Sequence, residues 1–383
     1  MVAVGESASC LGTTIGTLGQ NRAFPANHVS AMVDLGFETG GSTMYTRRGF
    51  VSALAGTALG TFATGKATEV QAHSSASLQN VAERILKLFE TLPGKRSLLI
   101  VSPAIHGRDF RVLLNVDSQL FCGSAFKVFV LAEFLRMADA GEAELTELVA
   151  VDSTVWSLSS PVLTSLPGTV SGQINARTAL DAMISRSDNT ATDIALKRVG
   201  AERVRRFIES IGLPNARIPD STRQFFGYIF GSPQWQTITW EELLALSESD
   251  PYEPRPLLND VQTMSVSPRD FVSFYSRALQ GAFFTNPGTT TVFRAILSQS
   301  EAIPRAMPLG VNAFVKGGSI DFNGEHALSL AGGAFLPARR WAYFGMTINW
   351  TDAEGGPVAE EGPRFAAVVN EIFTALNDRL GTC

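Results

Sequence analysis

Phe121-Cys122-Gly123-Ser124-Ala125-Phe126-Lys127-Val128-Phe129-Val130-Leu131 is the stretch whose reading decides the rest. A turn led by glycine enters an apolar run with helical spacing, which predicts a helix over 125–138. Ser124 falls near the first helical turn, and Lys127 follows three residues later on the same face. The helix N-terminus brings backbone N–H groups and positive potential to the hydroxyl. Apolar neighbours favour a neutral lysine amine, which can take the serine's proton. The pattern is that of a Ser-x-x-Lys nucleophile. The plainer alternative is a serine-capped helix carrying a surface lysine. With 33 Ser and 6 Lys in the chain, one Ser-x-x-Lys arises by chance roughly 0.5 times, so this stretch alone does not decide the matter.

Two later stretches decide it. Ile184-Ser185-Arg186-Ser187-Asp188-Asn189-Thr190 lies between two predicted helices. Asp188 or Asn189 would serve there as an ordinary N-cap, yet Ser-Asp-Asn is expected only ~0.05 times by chance. Val315-Lys316-Gly317-Gly318-Ser319 leads into a predicted strand. Two glycines there suit a turn or bulge, and Lys-Gly-Gly is again expected about 0.05 times by chance. All three together, before their order is required, come to the order of 10⁻³.

Ser-x-x-Lys, Ser-Asp-Asn and Lys-x-Gly in this order resemble the serine β-lactamase and penicillin-binding-protein superfamily, and most closely the class A β-lactamases. The resemblance covers residues 78–379. It implies an α+β fold, an antiparallel sheet flanked by helices plus an all-helical lobe, with the site between them. Carried over, Ser124 is the acylated nucleophile and Lys127 its activator. Ser187 relays a proton to the leaving nitrogen, and Asn189 binds the substrate's side-chain amide while Asp188 holds its loop. Lys316 attracts the substrate carboxylate and acts on Ser187. Gly318 and Ser319 line the substrate, and the Ser124 and Ser319 N–H groups form the oxyanion hole. No metal or organic cofactor is implied, and the partner is a small acyl substrate, a β-lactam or an ester.

Two departures bear on mechanism. The superfamily's third motif has a hydroxyl residue after the lysine, where this chain has Gly317. Losing that bond to a carboxylate is worth about 1.5–3 kcal/mol, or about ten- to a hundredfold. The Glu-x-x-Leu-Asn pattern that supplies a deacylating base is also absent. Its place falls near Ser221-Thr222-Arg223, ahead of an insertion from Gln224 to Asp260. Glu241, Glu242, Glu248 and Glu253 are the acids available there; Glu253, in Tyr252-Glu253-Pro254, is the candidate base, and the plainer reading of each is a solvated surface acid. The insertion's aromatics (Phe225, Phe226, Tyr228, Phe230, Trp235, Trp240) suit either a roof over the cleft or a local hydrophobic cluster. Esterase, D,D-peptidase-like and non-catalytic penicillin- or peptidoglycan-binding roles stay open beside β-lactam hydrolysis.

Composition agrees with a globular enzyme. The 383 residues are 45% hydrophobic and carry a formal charge of −5, enough for a large core and with no basic block for nucleic acid. Cys10, Cys122 and Cys383 are too scattered for a metal pattern or a disulfide framework. Neither HExxH nor G-x-S-x-G occurs, which argues against a Ser-His-Asp hydrolase. Residues 1–43 lack periodicity and are expected to be a disordered or non-native extension. Met44-Tyr45-Thr46-Arg47-Arg48-Gly49-Phe50 and the apolar run after it resemble a twin-arginine export signal over 44–72, cleaved after Ala72. A monomeric domain, 73–383, would then act outside the cytoplasm and meet the membrane only during export.

Along that domain the pattern predicts a helix over 78–92 and a strand pair at 97–102 and 110–116. Helices follow at 176–184, 190–199 and 201–211. Residues 213–267 read as irregular. Helices at 268–279 and 289–300 precede strands at 313–320, 327–335 and 341–350, with Asn323-Gly324 as a hairpin turn. A helix over 361–379 closes the chain.

Overall fold

The structure, a computed structural model, describes residues 67–104, 109–163, 171–249, 253–337 and 340–380. The expected extension, most of the expected export signal, Cys10 and Cys383 lie outside these residues. Helix α1 (Ala67–Glu90) leads into strands β1 (Lys95–Ser102) and β2 (Phe110–Leu114). A short β3 (Leu120–Phe121) and a 3-10 turn (Gly123–Phe126) precede α2 (Lys127–Asp139). Strands β4 (Leu148–Val151) and β5 (Gly172–Asn175) form a small ribbon before α3 (Ala176–Ser185), α4 (Asn189–Val199) and α5 (Ala201–Ser210). Next come α6 (Thr222–Ile229), α7 (Trp240–Ser247), β6 (Ser265–Val266), α8 (Pro268–Ala278), α9 (Pro287–Leu297) and α10 (Ala302–Ala306). The chain ends with β7 (Asn312–Phe322), β8 (Glu325–Leu336), β9 (Arg340–Thr351) and α11 (Val358–Leu380).

Five strands make one antiparallel sheet in the order β2-β1-β9-β8-β7, so the N- and C-terminal parts of the chain share it. Its register is set at the β7–β8 hairpin. Phe322 pairs with Glu325, leaving Asn323 and Gly324 as a two-residue turn with φ of 47° and 74°. Only such residues take this left-handed turn readily, and its twist matches the strands. His326 sits between Asp321 and Asp352 at 2.6 and 2.8 Å, and Asp321 also accepts the Val358 N–H at 2.9 Å. The hairpin end is thereby tied to the start of α11.

Strand alternation gives the sheet two apolar faces. Phe344, Met346 and Ile348 join a core with Ile85 and Phe89 of α1 and Phe365, Ile372 and Phe373 of α11. Phe344 meets Phe373 edge to face at 4.7 Å between ring centres. The opposite face joins the helical lobe's core, where α2 is buried on all sides from Val128 to Leu135. A helix buried all round belongs at the centre of a lobe, and this one carries the Ser124 turn at its N-terminal end.

Residues 213–267 are more regular than their sequence suggests, because α6 and α7 form there. Phe225, Phe226, Phe230 and Trp240 are buried in the main core; Phe225 stacks on Phe121, and Phe230 on Phe322. The aromatic insertion is thus a packed layer joining the lobe to β3 and β7. Helix α1 begins at Ala67, so the expected mature start at His73 falls within it.

Candidate active site

The 3-10 turn Gly123–Phe126 opens with Gly123 at φ +50° and leads straight into α2. Ser124 is buried, with 3% of its surface exposed. The Lys127 backbone N–H donates to the Ser124 carbonyl and closes the turn. Strand β7 presses against this turn at Gly318. A β-carbon built on Gly318 would lie 2.1 Å from Cys122 O, 2.6 Å from Ser124 N and 2.7 Å from Ala125 N. All three are backbone atoms, so glycine is required there and Ser319 is held beside the serine turn.

Lys127 has no exposed surface. Its Nζ donates to Ser187 O and to Asn189 Oδ1, both at 2.6 Å, and lies 3.4 Å from Ser187 Oγ. Burial pushes its pKa well below the usual lysine value; the charge of Lys316 adds to this, and Asp188, Asp193 and Glu301 oppose it. A neutral amine has two N–H groups and one lone pair. The two short bonds occupy the N–H groups, which leaves the lone pair to receive a proton.

The second motif sits at the α3–α4 junction. Ser187 has φ +58°, a left-handed conformation that a residue with a side chain adopts only where its surroundings impose it. Asp188 imposes it. Its fully buried carboxylate accepts the Val162 and Leu163 N–H groups at one oxygen and Ala191 N–H at the other, all within 2.9 Å. The loop facing the cleft and the N-terminus of α4 are bound to one group. Asn189 points its amide oxygen at Lys127, and its nitrogen donates to Leu158 O at 2.8 Å. From β7, Lys316 Nζ donates to Ser187 Oγ at 2.9 Å and to Gly317 O at 2.8 Å. Burial lowers the Lys316 pKa to about 8, against the pull of Glu301. Ser187 Oγ therefore bridges two amines, one favouring the neutral form and one still protonated near neutral pH.

Ser187, Lys316, Gly317, Gly318 and Ser319 line a cleft of about 1090 Å³ that continues between α10 and α11. Ser124 and Lys127 are not among the residues that line it. The structure thus brings Ser124, Lys127, Ser187, Asn189, Lys316, Gly318 and Ser319 together. It does not bring Glu253, which is exposed, packs its backbone against Gly231 and does not line the cleft. A deacylating base at that position has no geometric support. Among the described residues no group of three or more His, Cys, Asp or Glu is arranged to hold a metal ion.

Several residues of this region are not evident from the sequence. Asp193, one turn below Asn189, accepts Thr222 N–H at 2.6 Å, Thr222 Oγ1–H at 2.8 Å and Arg223 N–H at 3.0 Å. Burial raises its pKa to about 6 even so. Thr190 N–H donates to Ser160 Oγ at 2.8 Å, and Ser157 N–H to Thr190 Oγ1 at 3.0 Å. Arg186, Glu301 and Arg305 stand at the cleft wall. Buried hydroxyl and carboxylate partners leave no periodic trace; Arg186 and Thr190, both within the second-motif stretch, carry a positional cue.

Residues 80–334, more than half of the chain, match a family described as the β-lactamase enzyme family. No curated protein matches by sequence. Solved structures share the fold. One is a penicillin-G acyl-enzyme complex of a PBP-A variant, 18% identical, with a TM-score of 0.59 over 80% of this chain and 98% of that one. Another is the TLA-3 extended-spectrum β-lactamase, 16% identical, with a TM-score of 0.62 over 79% and 99%. A third is a β-lactamase from Chitinophaga pinensis, 18% identical, with a TM-score of 0.58 over 78% and 98%. With an α+β fold of this kind, an internal lysine cluster beside a serine turn and a family match spanning both, the chain belongs to the β-lactamase enzyme family and is a β-lactamase-like serine hydrolase.

Proposed function

We propose that the protein is acylated by β-lactams at Ser124 and hydrolyses the acyl-enzyme slowly. The observation that carries this is the Lys127 amine, buried, held by two short bonds and shifted by burial toward its neutral form, three residues from Ser124. Lys127 takes the Ser124 proton as Oγ attacks the lactam carbonyl. The Ser124 and Ser319 N–H groups receive the oxyanion. The proton passes through Ser187 Oγ to the ring nitrogen as the C–N bond breaks, and the Lys316 ammonium keeps Ser187 oriented. Turnover then needs a base for water. Among the described residues, the carboxylates of the cleft wall are Glu301, paired with two arginines, and Glu371, while Asp193 is saturated by three donors. None is a free base near the serine turn, which supports slow deacylation. The test is the mass of intact protein followed after mixing with benzylpenicillin, with Ser124→Ala alongside. A penicilloyl adduct that forms on the parent only, and clears much more slowly than it forms, is expected. Rapid clearance would refute slow deacylation, and an adduct on Ser124→Ala would refute the nucleophile.

We also infer export by the twin-arginine route, on Arg47-Arg48-Gly49-Phe50 and the apolar run after it. Replacing both arginines by lysine in the full chain is expected to retain the protein in the cytoplasm; unchanged secretion would contradict this.

A further inference from the structure

The cleft reaches around the edge of the sheet. Strand β7 is an edge strand, and neighbouring residues of a strand face opposite sides. A β-carbon on Gly318 would point into the Ser124 turn, whereas one on Gly317 would point at Ala302 of α10, 3.5 Å away. Both glycines line the same cleft. The space therefore begins at Ser187 and Lys316 and passes over β7 to the side covered by α10 and α11. At about 1090 Å³ it matches or exceeds the roughly 300–1,000 Å³ that holds a whole drug-sized ligand, so there is room beyond the reacting bond. The far arm is apolar. The register sets Leu330 opposite Gly317 and Leu328 opposite Ser319, which places both leucines on the Gly317 side, where they line the arm with Phe365. The acids that α10 and α11 add are Glu301, paired with Arg305 at 3.2 Å, and Glu371, which is exposed. Small residues keep the arm open. Helix α11 carries Gly362 and Pro363 just past its first turn, and both line the cleft. They are the least favourable residue types for a helix interior. A β-carbon on Gly362 would meet only Val358 Cγ1, at 4.0 Å, so packing does not demand glycine there. The glycine weakens the helix and leaves space in the cleft.

We propose that the arm between α10 and α11 receives an apolar group carried on the leaving side of the substrate. The direction follows from the chemistry. Ser187 passes the proton to the leaving atom, and Ser187 and Lys316 line the cleft on the near side of Gly317. Whatever the leaving atom carries passes over Gly317 into the arm. The substrate class is an acyl compound whose departing amine, alcohol or thiol bears an alkyl or aryl group of several carbons. Burying that group against Leu328, Leu330 and Phe365 supplies binding in proportion to its apolar area. The direction rests on the reading of Ser124 as nucleophile, but the binding can be measured without any chemistry.

The experiment is calorimetric titration of the Ser124→Ala protein with phenylacetylglycyl thioesters whose leaving thiol grows from ethyl to hexyl. Affinity should rise about three- to fourfold per methylene. Adding Gly362→Leu and Ala366→Leu, which lie one turn apart on the same helix face, should fill the arm and flatten the series while leaving the ethyl thioester unchanged. Thermal midpoints show whether the pair folds; leucine suits a helix better than glycine, so the midpoint should hold or rise. Gly362→Leu alone should also reduce the slope, and it carries the test if the pair fails to fold. A second series lengthens the acyl side at a fixed ethyl thiol, and the leucines should not change it. A flat leaving-side series, an unchanged slope in the filled variants, a filled arm that flattens the acyl-side series instead, or no binding of any thioester would overturn the proposal. Acylation is measured separately on the parent by intact mass: the Ser124 Oγ–C bond forms, the C–S bond breaks, and the serine's proton departs with the thiol. A slope abolished by the leucines without acylation of the parent would keep the arm and remove the nucleophile. Acylation with a flat series would remove the arm alone.

Discussion

Gly317 and Gly318 are neighbours in one strand, and alanine is expected to be tolerated at the first and damaging at the second. At Gly318 the new β-carbon would stand 2.1 Å from Cys122 O and 2.6 Å from Ser124 N. Carbon–oxygen contacts shorter than about 3.3 Å are already close, so strand or turn must retreat by roughly 1 Å. Neither can yield by turning a side chain, because the obstructing atoms are backbone. The displacement falls on the atoms that would hold the nucleophile and the oxyanion, where an error of about 1 Å costs on the order of 10²-fold in rate. The overpacking itself should destabilise by about 1–3 kcal/mol, which lowers the melting temperature by roughly 2–12 °C. At Gly317 the nearest atom is 3.5 Å away, an ordinary contact, so Gly317→Ala should acylate at close to the parent rate. The assay is the initial rate of labelling by a fluorescent penicillin, measured well below both melting temperatures. Labelling of Gly318→Ala at the parent rate, or equal losses in the two variants, would refute the claim that β7 and the Ser124 turn are fitted at Gly318.

Further outcomes follow from the same geometry. Lys127→Met removes the amine and should slow acylation by about 10²–10⁴-fold, read by the same labelling. Lys316 has its pKa lowered from 10.5 to about 8, so the folded protein releases this proton before the unfolded chain does. Labelling by an anionic penicillin should therefore fall as pH rises through about 8. Over the window from about pH 8 to 10.5 the unfolded chain binds more protons, so this group's contribution to stability should rise, as urea melts at both ends would record. Asp188→Asn leaves one oxygen for three backbone N–H groups; each orphaned donor costs about 1–3 kcal/mol, which a shift in the urea midpoint would register.

How much of this was legible in the sequence depends on the range of the forces involved. The β7–β8 hairpin was, because Asn323-Gly324 encodes its own backbone conformation. The three motifs were also visible, since each is a short run of fixed residue types. Helices α6 and α7 are not legible in residues 213–267, where aromatics on several faces blur the period. Yet each begins with a local signal: Ser221 caps Gln224 N–H, and Thr239 forms a reciprocal capping box with Glu242. The two-residue β3–β6 pairing and the β4–β5 ribbon are too short to show alternation. Glu253 resembles a base only in its local sequence; a base is defined by distance to the reacting atoms, and the chain path puts that residue on the surface. The contact of Asp193 with Thr222 spans 29 residues, and the meeting of Arg186 with Glu301 joins α3 to α10. Such contacts arise only when the lobe and the sheet close on each other.

The central claim is that Ser124 carries the acyl group. The most direct test is the intact mass of the parent and of Ser124→Ala after mixing with benzylpenicillin, followed by peptide mapping of the adduct. The account predicts one penicilloyl group on the peptide containing Ser124, and none on the variant. No adduct on the parent, or an adduct on another residue, would contradict it.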